Sequence, residues 1–114
     1  YEGDISDAAL IKQICRENNI DSAMHFSAFA YVGESVERPD IYYRYNAMQT
    51  LALLDVLIAC GVKKFVFSST CATYGEPQYV PIDEKHPQQP TNPYGWSKFF
   101  VEQIMKDYDD AFGQ

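Results

Sequence analysis

Hydrophobic positions along the chain follow two rhythms that alternate from one end to the other. Leu10, Ile11, Ile14 and Cys15 recur at helical spacing behind Ser6, a residue suited to cap a helix, and Asn18-Asn19 closes the run. Asp21 to Phe26 is short and partly apolar, as a strand after a tight turn would be. From Ile41 to about Cys60 a second helix is expected, with Leu51, Leu53, Leu54, Val56, Leu57 and Ile58 covering most of its circumference. A helix apolar nearly all round is buried on two sides, here against a sheet and a second helix layer, and Gly61 supplies its stop. Phe65-Val66-Phe67 shows no alternation, which predicts a fully buried parallel strand. Pro77, Pro81, Pro87 and Pro90 make the stretch 76–91 a loop. A last helix is predicted from about Pro93 to Ala111, with Val101, Ile104, Met105, Tyr108 and Phe112 on its apolar stripe. Asn92 stands as its N-cap and Pro93 at its first position.

Strands alternating with helices predict an α/β fold: a parallel sheet with right-handed crossovers and flanking helices. In such sheets ligands sit at the carboxyl ends of the strands. Both predicted strand exits are chemically unusual. His25-Phe26-Ser27-Ala28-Phe29-Ala30 is rich in small residues, and Ser68-Ser69-Thr70-Cys71-Ala72-Thr73-Tyr74-Gly75 is a run of hydroxyls. A hydroxyl run is equally compatible with a plain turn.

Composition narrows the function classes. At 114 residues the chain holds at most one domain, and 46% hydrophobic content is ordinary for a globular protein. A net charge of −7 argues against nucleic acid as the main partner. No basic amphipathic segment points to a membrane surface, and the apolar run Leu51 to Val62 is interrupted by Asp55 and too short to span a bilayer. Cys15, Cys60 and Cys71 lack metal or disulfide spacing, so a reduced, cytoplasmic setting is expected. His25 and His86 have no metal-ligand spacing either, and no metal is expected. No signal peptide opens the chain, and Tyr1-Glu2-Gly3-Asp4 reads like the middle of a longer sequence.

On the last predicted helix Tyr94 and Lys98 are i and i+4, stacked on one face. An ammonium held beside a phenol favours the phenolate, which makes a proton-transfer group. The bland alternative is a surface lysine beside a half-buried tyrosine, and the pair needs its context to be more than that.

That context is an ordered set: a small-residue strand exit, Ser68-Ser69-Thr70 at the next one, and Tyr94-x-x-x-Lys98 on the following helix. Together they resemble the extended short-chain dehydrogenase/reductase family, and within it the nucleotide-sugar 4-epimerases, over essentially the whole chain. Gly3-Asp4-Ile5 resembles the segment whose aspartate contacts the cofactor adenine. His25 to Val36 resembles the stretch that lines the cofactor, and Phe65 to Gly75 and Pro93 to Lys98 complete the set.

The resemblance implies a partial Rossmann-like, doubly wound parallel sheet with NAD and a UDP-sugar as ligands. It implies that Tyr94, Lys98 and Thr70 are catalytic. Tyr94 would take the proton of the sugar C4 hydroxyl, Lys98 would hold the nicotinamide ribose, and Thr70 would hydrogen-bond the same sugar oxygen. Asp4, Ile5, Phe26, Ser27, Ala28, Phe29, Asn46, Ser68, Tyr94 and Lys98 would contact NAD. The implied activity exchanges UDP-galactose and UDP-glucose through a 4-keto sugar, in galactose metabolism, with UDP-pentose or UDP-N-acetylhexosamine epimerases as alternatives.

The related 4,6-dehydratases carry an Asp-Glu pair directly after the catalytic threonine, whereas Cys71-Ala72 stand there in this chain. Other departures are Ala30, where some epimerases carry a lysine, and Ser27 and Gln49, where smaller residues are usual. Trp96 lies between Tyr94 and Lys98 but by helical phase points away from both. The family's helices corresponding to 41–60 and 93–111 form a homodimer bundle.

The family's G-x-x-G-x-x-G loop, which cradles the pyrophosphate, has no counterpart in these residues. The expectation is therefore that residues 1–114 are the central part of an NAD-binding domain. As a molecule of their own they would be a folded module that self-associates through its helices. The 114-residue chain by itself should neither retain NAD nor interconvert UDP-galactose and UDP-glucose. Turnover by the purified chain would contradict this.

Overall fold

The computed structural model describes residues 1–113. Strands β1 (Ser22–His25) and β2 (Lys64–Phe67) pair in parallel, with Ser22 opposite Lys64 and His25 opposite Phe67. That register brings both strand exits to the same edge. The elements run α1 (Ala8–Asn18), β1, α2 (Val32–Glu37), α3 (Pro39–Tyr42), a π-helical segment (Tyr43–Met48) and α4 (Gln49–Ala59). Then come β2, a 3-10 turn (Cys71–Tyr74) and α5 (Pro93–Phe112). This is the α/β order expected from the hydrophobic rhythm.

Local chemistry explains the helix ends, with one shift from expectation. Asp7, not Ser6, caps α1: its carboxylate accepts from Leu10 N–H at 3.1 Å, while Ser6 is turned back onto Asp4. Asn19 leaves α1 in the left-handed region, where an asparagine is tolerated. Asn92 Oδ1 accepts from Gly95 N–H at 2.8 Å, so the capping of α5 is as predicted.

The second predicted helix begins at Pro39, and at its centre the Gln49 N–H bonds to Arg44 O, a π-type i→i+5 bond. A π-turn costs hydrogen-bond geometry and turns the following side chains on the helix by an extra residue. Hydrophobic spacing gave no sign of it, nor of α2.

Neither strand is fully buried. Val66 is 53% exposed and Met24 67%, while Ala23, His25, Phe65 and Phe67 face inward. Among the described residues α1, α4 and α5 cover one face of the sheet only, so the continuous apolar run in β2 has packing partners on one side. One core cluster consists of Cys15, Leu53, Leu57 and Val62, with Ile5, Ile11, Ile20, Ala23 and Phe65 packed against it. The other flank of α4 meets α5, where Leu54 lies beside Met105 and Tyr108. Burial and the neighbouring Asp55, which accepts from its hydroxyl at 2.6 Å, push the Tyr108 pKa up to about 12. No helix among the described residues is long and apolar enough to cross a membrane.

The proline-rich loop has an organising centre that spacing did not reveal. His86, 3% exposed, accepts from Gln78 N–H at Nε2 (3.0 Å). Its Nδ1 lies 2.8 Å from Pro87 O, and the rings of Tyr74 and Tyr79 pack on it. These partners require the neutral tautomer with its proton on Nδ1. The loop also presses on Gly75, which has φ +66, and a Cβ there would stand 1.9 Å from Gln89 O. Gly75→Ala should therefore destabilise the fold by about 2–3 kcal/mol, a typical cost of forced strain. An unchanged denaturation midpoint would contradict this packing.

Candidate active site

Lys98 defines the site. It stands on α5 at 3% exposure, its Nζ donating to Ser68 O at 2.9 Å and lying 4.7 Å from the centre of the Phe67 ring. No other hydrogen bond from this ammonium occurs among the described residues, and an ammonium has three donors. Burial pushes the Lys98 pKa down. A buried cation with spare donors is costly unless a ligand completes its shell.

Ser68 N–H donates to His25 O at 3.0 Å, so the exits of β1 and β2 are joined at the lysine.

Tyr94 lies half-buried one turn before Lys98, its ring edge-on to Tyr42 with centroids 6.2 Å apart. Among the described residues its hydroxyl makes no hydrogen bond, to Lys98 or to any other group. Thr70 caps the 3-10 turn that follows β2. Its Oγ1 accepts from Ala72 N–H at 3.1 Å, which leaves its own hydrogen free to donate. Gly95 permits the approach: a Cβ there would lie 2.7 Å from Ala72 O, so the first turn of α5 rests on the turn that carries Thr70. Thr70, Tyr94, Lys98 and Ser68 thus share one end of the sheet.

Behind them runs a buried polar network. Thr50 Oγ1 donates to Asn46 O at 2.8 Å, so His25 must donate to Thr50 through Nε2, at 2.9 Å. Asn46 Oδ1 accepts from Phe29 N–H at 2.9 Å; its Nδ2 donates to Phe29 O (2.9 Å) and Ser97 Oγ (3.2 Å). Ser97 donates onward to Tyr94 O at 2.8 Å. Asn46, predicted from resemblance as a cofactor contact, has both amide hydrogens engaged by protein acceptors and clamps the β1 exit onto α5. It sits in the π-helical segment, a device frequent at functional sites. Thr50, Ser97 and Tyr42 were missed as site residues. Thr50 at i+4 from Asn46 and Ser97 at i+3 from Tyr94 carried the signal, since such spacings share a helix face.

The remaining predicted contacts divide between cavities. A cleft of about 470 Å³ is lined by Gly3, Asp4, Ile5, Ser27, Ala28, Phe29, Tyr45 and Gln49, which gathers five of the predicted NAD contacts. The Asp4 carboxyl is held below its usual range by hydrogen bonds from the Ser6 hydroxyl and N–H. Phe26 is 67% exposed and lines a neighbouring apolar groove instead. Thr70 lines a third cavity, with Cys71, Thr73 and Glu102 among its walls. Trp96 packs on Phe99 and Phe100, as its helical phase predicted. The small residues Gly3, Ser27 and Ala28 in the first cleft leave room for a ligand close to the backbone, and the unfilled donors of Lys98 fit hydroxyls such as those of a dinucleotide ribose.

The family model described as GDP-mannose 4,6 dehydratase matches residues 1–114. The chain belongs to this family. A UDP-glucose 4-epimerase of Rhizobium leguminosarum bv. trifolii is 50% identical over 108 residues, which is 95% of this chain and 33% of that protein. The crystal structure of UDP-glucose 4-epimerase from Brucella ovis in complex with NAD superposes with a TM-score of 0.96. It is 44% identical, over 99% of this chain and 35% of that one. The UDP-glucose 4-epimerase from Bifidobacterium longum in complex with NAD+ and UDP gives 0.93 at 47% identity, over 97% of this chain and 33% of that one. The chain therefore spans about a third of the length of these relatives. Its fold is a partial Rossmann-like α/β fold, as the resemblance implied.

The network makes stability depend on pH. Burial, and next the charge of Lys98, lower the His25 pKa. The unfolded chain then binds a proton at about pH 6.5 that the folded chain refuses, so stability should fall as pH drops below that value. Denaturation midpoints should decline from about pH 7.5 to 5.5, and His25→Gln should flatten the slope. An equal slope in the variant would refute the assignment.

Proposed function

We propose that these residues are the catalytic part of an NAD-dependent UDP-glucose 4-epimerase, which interconverts UDP-galactose and UDP-glucose. The observation that carries this reading is the convergence of three unspent hydrogen-bonding groups at one end of the sheet. They are the Lys98 ammonium, the Thr70 hydroxyl hydrogen and the Tyr94 hydroxyl. The names and bound ligands of the relatives support the same reading.

In this reading residues 1–114 are the central part of the NAD-binding domain. Asp4 and Ile5 meet the adenine end, while Ser27, Ala28 and Phe29 pass beneath the dinucleotide. Phe26 and Ser68 border it, and Asn46 serves it by fixing Phe29. Lys98 gives its two spare N–H groups to the nicotinamide ribose hydroxyls. Bound NAD supplies a hydride acceptor and donor for sugar C4.

The chain's own residues move the proton and hold the oxygen. Tyr94 accepts the C4 hydroxyl proton and later returns it, one helical turn before Lys98 on the same face of α5. Thr70 donates to the C4 oxygen throughout, as a positioned donor does for developing charge. The 4-keto sugar then presents its other face before C4 is reduced again.

Dehydration would need an acid and a base beside C5 and C6. The carboxyl pair that the related dehydratases carry after the threonine is replaced here by Cys71 and Ala72, which favours epimerase over dehydratase. UDP-pentose and UDP-N-acetylhexosamine remain the alternative sugars. The enzyme is proposed to be a cytoplasmic homodimer joined through α4 and α5.

Tyr94→Phe in the full-length protein should lower epimerase kcat by about 10²–10⁴-fold, the usual scale of a lost proton carrier. Melting temperature and retained NAD should stay unchanged. Near-normal turnover would overturn the role given to Tyr94.

A further inference from the structure

The turn that carries Thr70 is tied at two points to one carboxylate on α5, through Ser69 and through Gln88 and Thr73. The Thr70 carbonyl accepts from Thr73 twice, from the backbone N–H at 3.3 Å and from the hydroxyl at 3.0 Å. Thr73 is 1% exposed, and its Oγ1 in turn accepts from Gln88 Nε2 at 3.1 Å. The other hydrogen of the same Gln88 amide goes to Glu102 Oε2 at 2.8 Å. Glu102 Oε1 accepts from the hydroxyl of Ser69, the residue before Thr70.

Both amide hydrogens of Gln88 and both carboxylate oxygens of Glu102 are therefore spent on this clamp. Glu102 stands one turn beyond Lys98, on the helix face that also carries Tyr94. An ion pair with Lys98 is the simpler use for such a glutamate. The structure does not show one: the ion pair among the described residues joins Arg38 to Asp40.

We propose that Glu102 is a positioning residue that, through Ser69, Gln88 and Thr73, fixes the Thr70 backbone and with it the direction of the Thr70 hydroxyl for the sugar C4 oxygen. The proposal rests on the epimerase reading and deepens it. The proline-rich loop, through Gln88, becomes part of the catalytic scaffold rather than a cover. Misplacing one positioned donor by a fraction of an ångström weakens it in the transition state while ground-state binding changes little, so the loss belongs in kcat.

A double-mutant cycle on the full-length, NAD-loaded protein with UDP-galactose tests this. Thr70→Ala should lower kcat by about a hundredfold and Glu102→Ala by about tenfold, with KM nearly constant. The double variant should be no worse than Thr70→Ala alone, because Glu102 then has nothing left to position. Gln88→Ala, on the loop, breaks the same clamp more mildly and should show the same non-additivity, which keeps the test available if Glu102→Ala does not fold. Losses that multiply, or Glu102→Ala and Gln88→Ala variants with wild-type kcat, would overturn the proposal while leaving the epimerase reading intact. A wild-type protein that does not epimerise would overturn the reading and the proposal with it.

Discussion

A lysine ammonium held at 3% exposure is the constraint from which the rest of the site follows. Among the described residues its compensation is the carbonyl of Ser68 and the face of the Phe67 ring. Both belong to the end of β2, so the cost of burying the charge fixes α5 against that strand. The same charge, added to burial, keeps His25 neutral. Neutral His25 donates through Nε2 to Thr50, Thr50 is tied to Asn46, and Asn46 holds Phe29 and Ser97. One buried cation thus aligns both strand exits and the helix that carries Tyr94. Among the described residues it lacks a full set of acceptors.

The parts legible in the sequence are those set by local chemistry. Asn92 before Pro93 announced the start of α5, and the structure shows Asn92 capping Gly95 N–H. Tyr94 and Lys98 at i and i+4 gave the shared face, and the alternation of periods gave the α/β order. Other features depend on partners distant in the chain. The Tyr43–Met48 π-turn leaves no trace in hydrophobic spacing, because it rearranges backbone bonds while keeping the same residues near the core. Phe65-Val66-Phe67 promised burial on both faces, yet packing depends on what lies opposite, and Val66 is 53% exposed. Ser6 and Asp7 are both competent caps; Asp4 captured the serine hydroxyl and left the aspartate to the helix.

The candidate site was legible in the same uneven way. Asp4, Ile5, Ser27, Ala28 and Phe29 come together in one cleft although the first two lie far from the others in sequence. That grouping came from family resemblance, since no spacing rule links residues 4 and 27. Asn46, a cofactor contact by resemblance, spends its amide hydrogens on Phe29 O and Ser97 Oγ and so acts as a clamp between the β1 exit and α5. His86 carried no signal at all: a histidine in a proline-rich loop looks solvated until Gln78, Pro87 and two tyrosine rings close around it.

The central claim is that hydride leaves and returns to the same sugar carbon while Tyr94 carries the proton. Proton NMR of UDP-galactose incubated in D2O with the full-length, NAD-loaded protein tests it directly. The account predicts equilibration with UDP-glucose, with the hydrogen at C4 retained and no deuterium entering there. Accumulation of a 4-keto-6-deoxy sugar carrying solvent deuterium, or no change in C4 configuration, would contradict it.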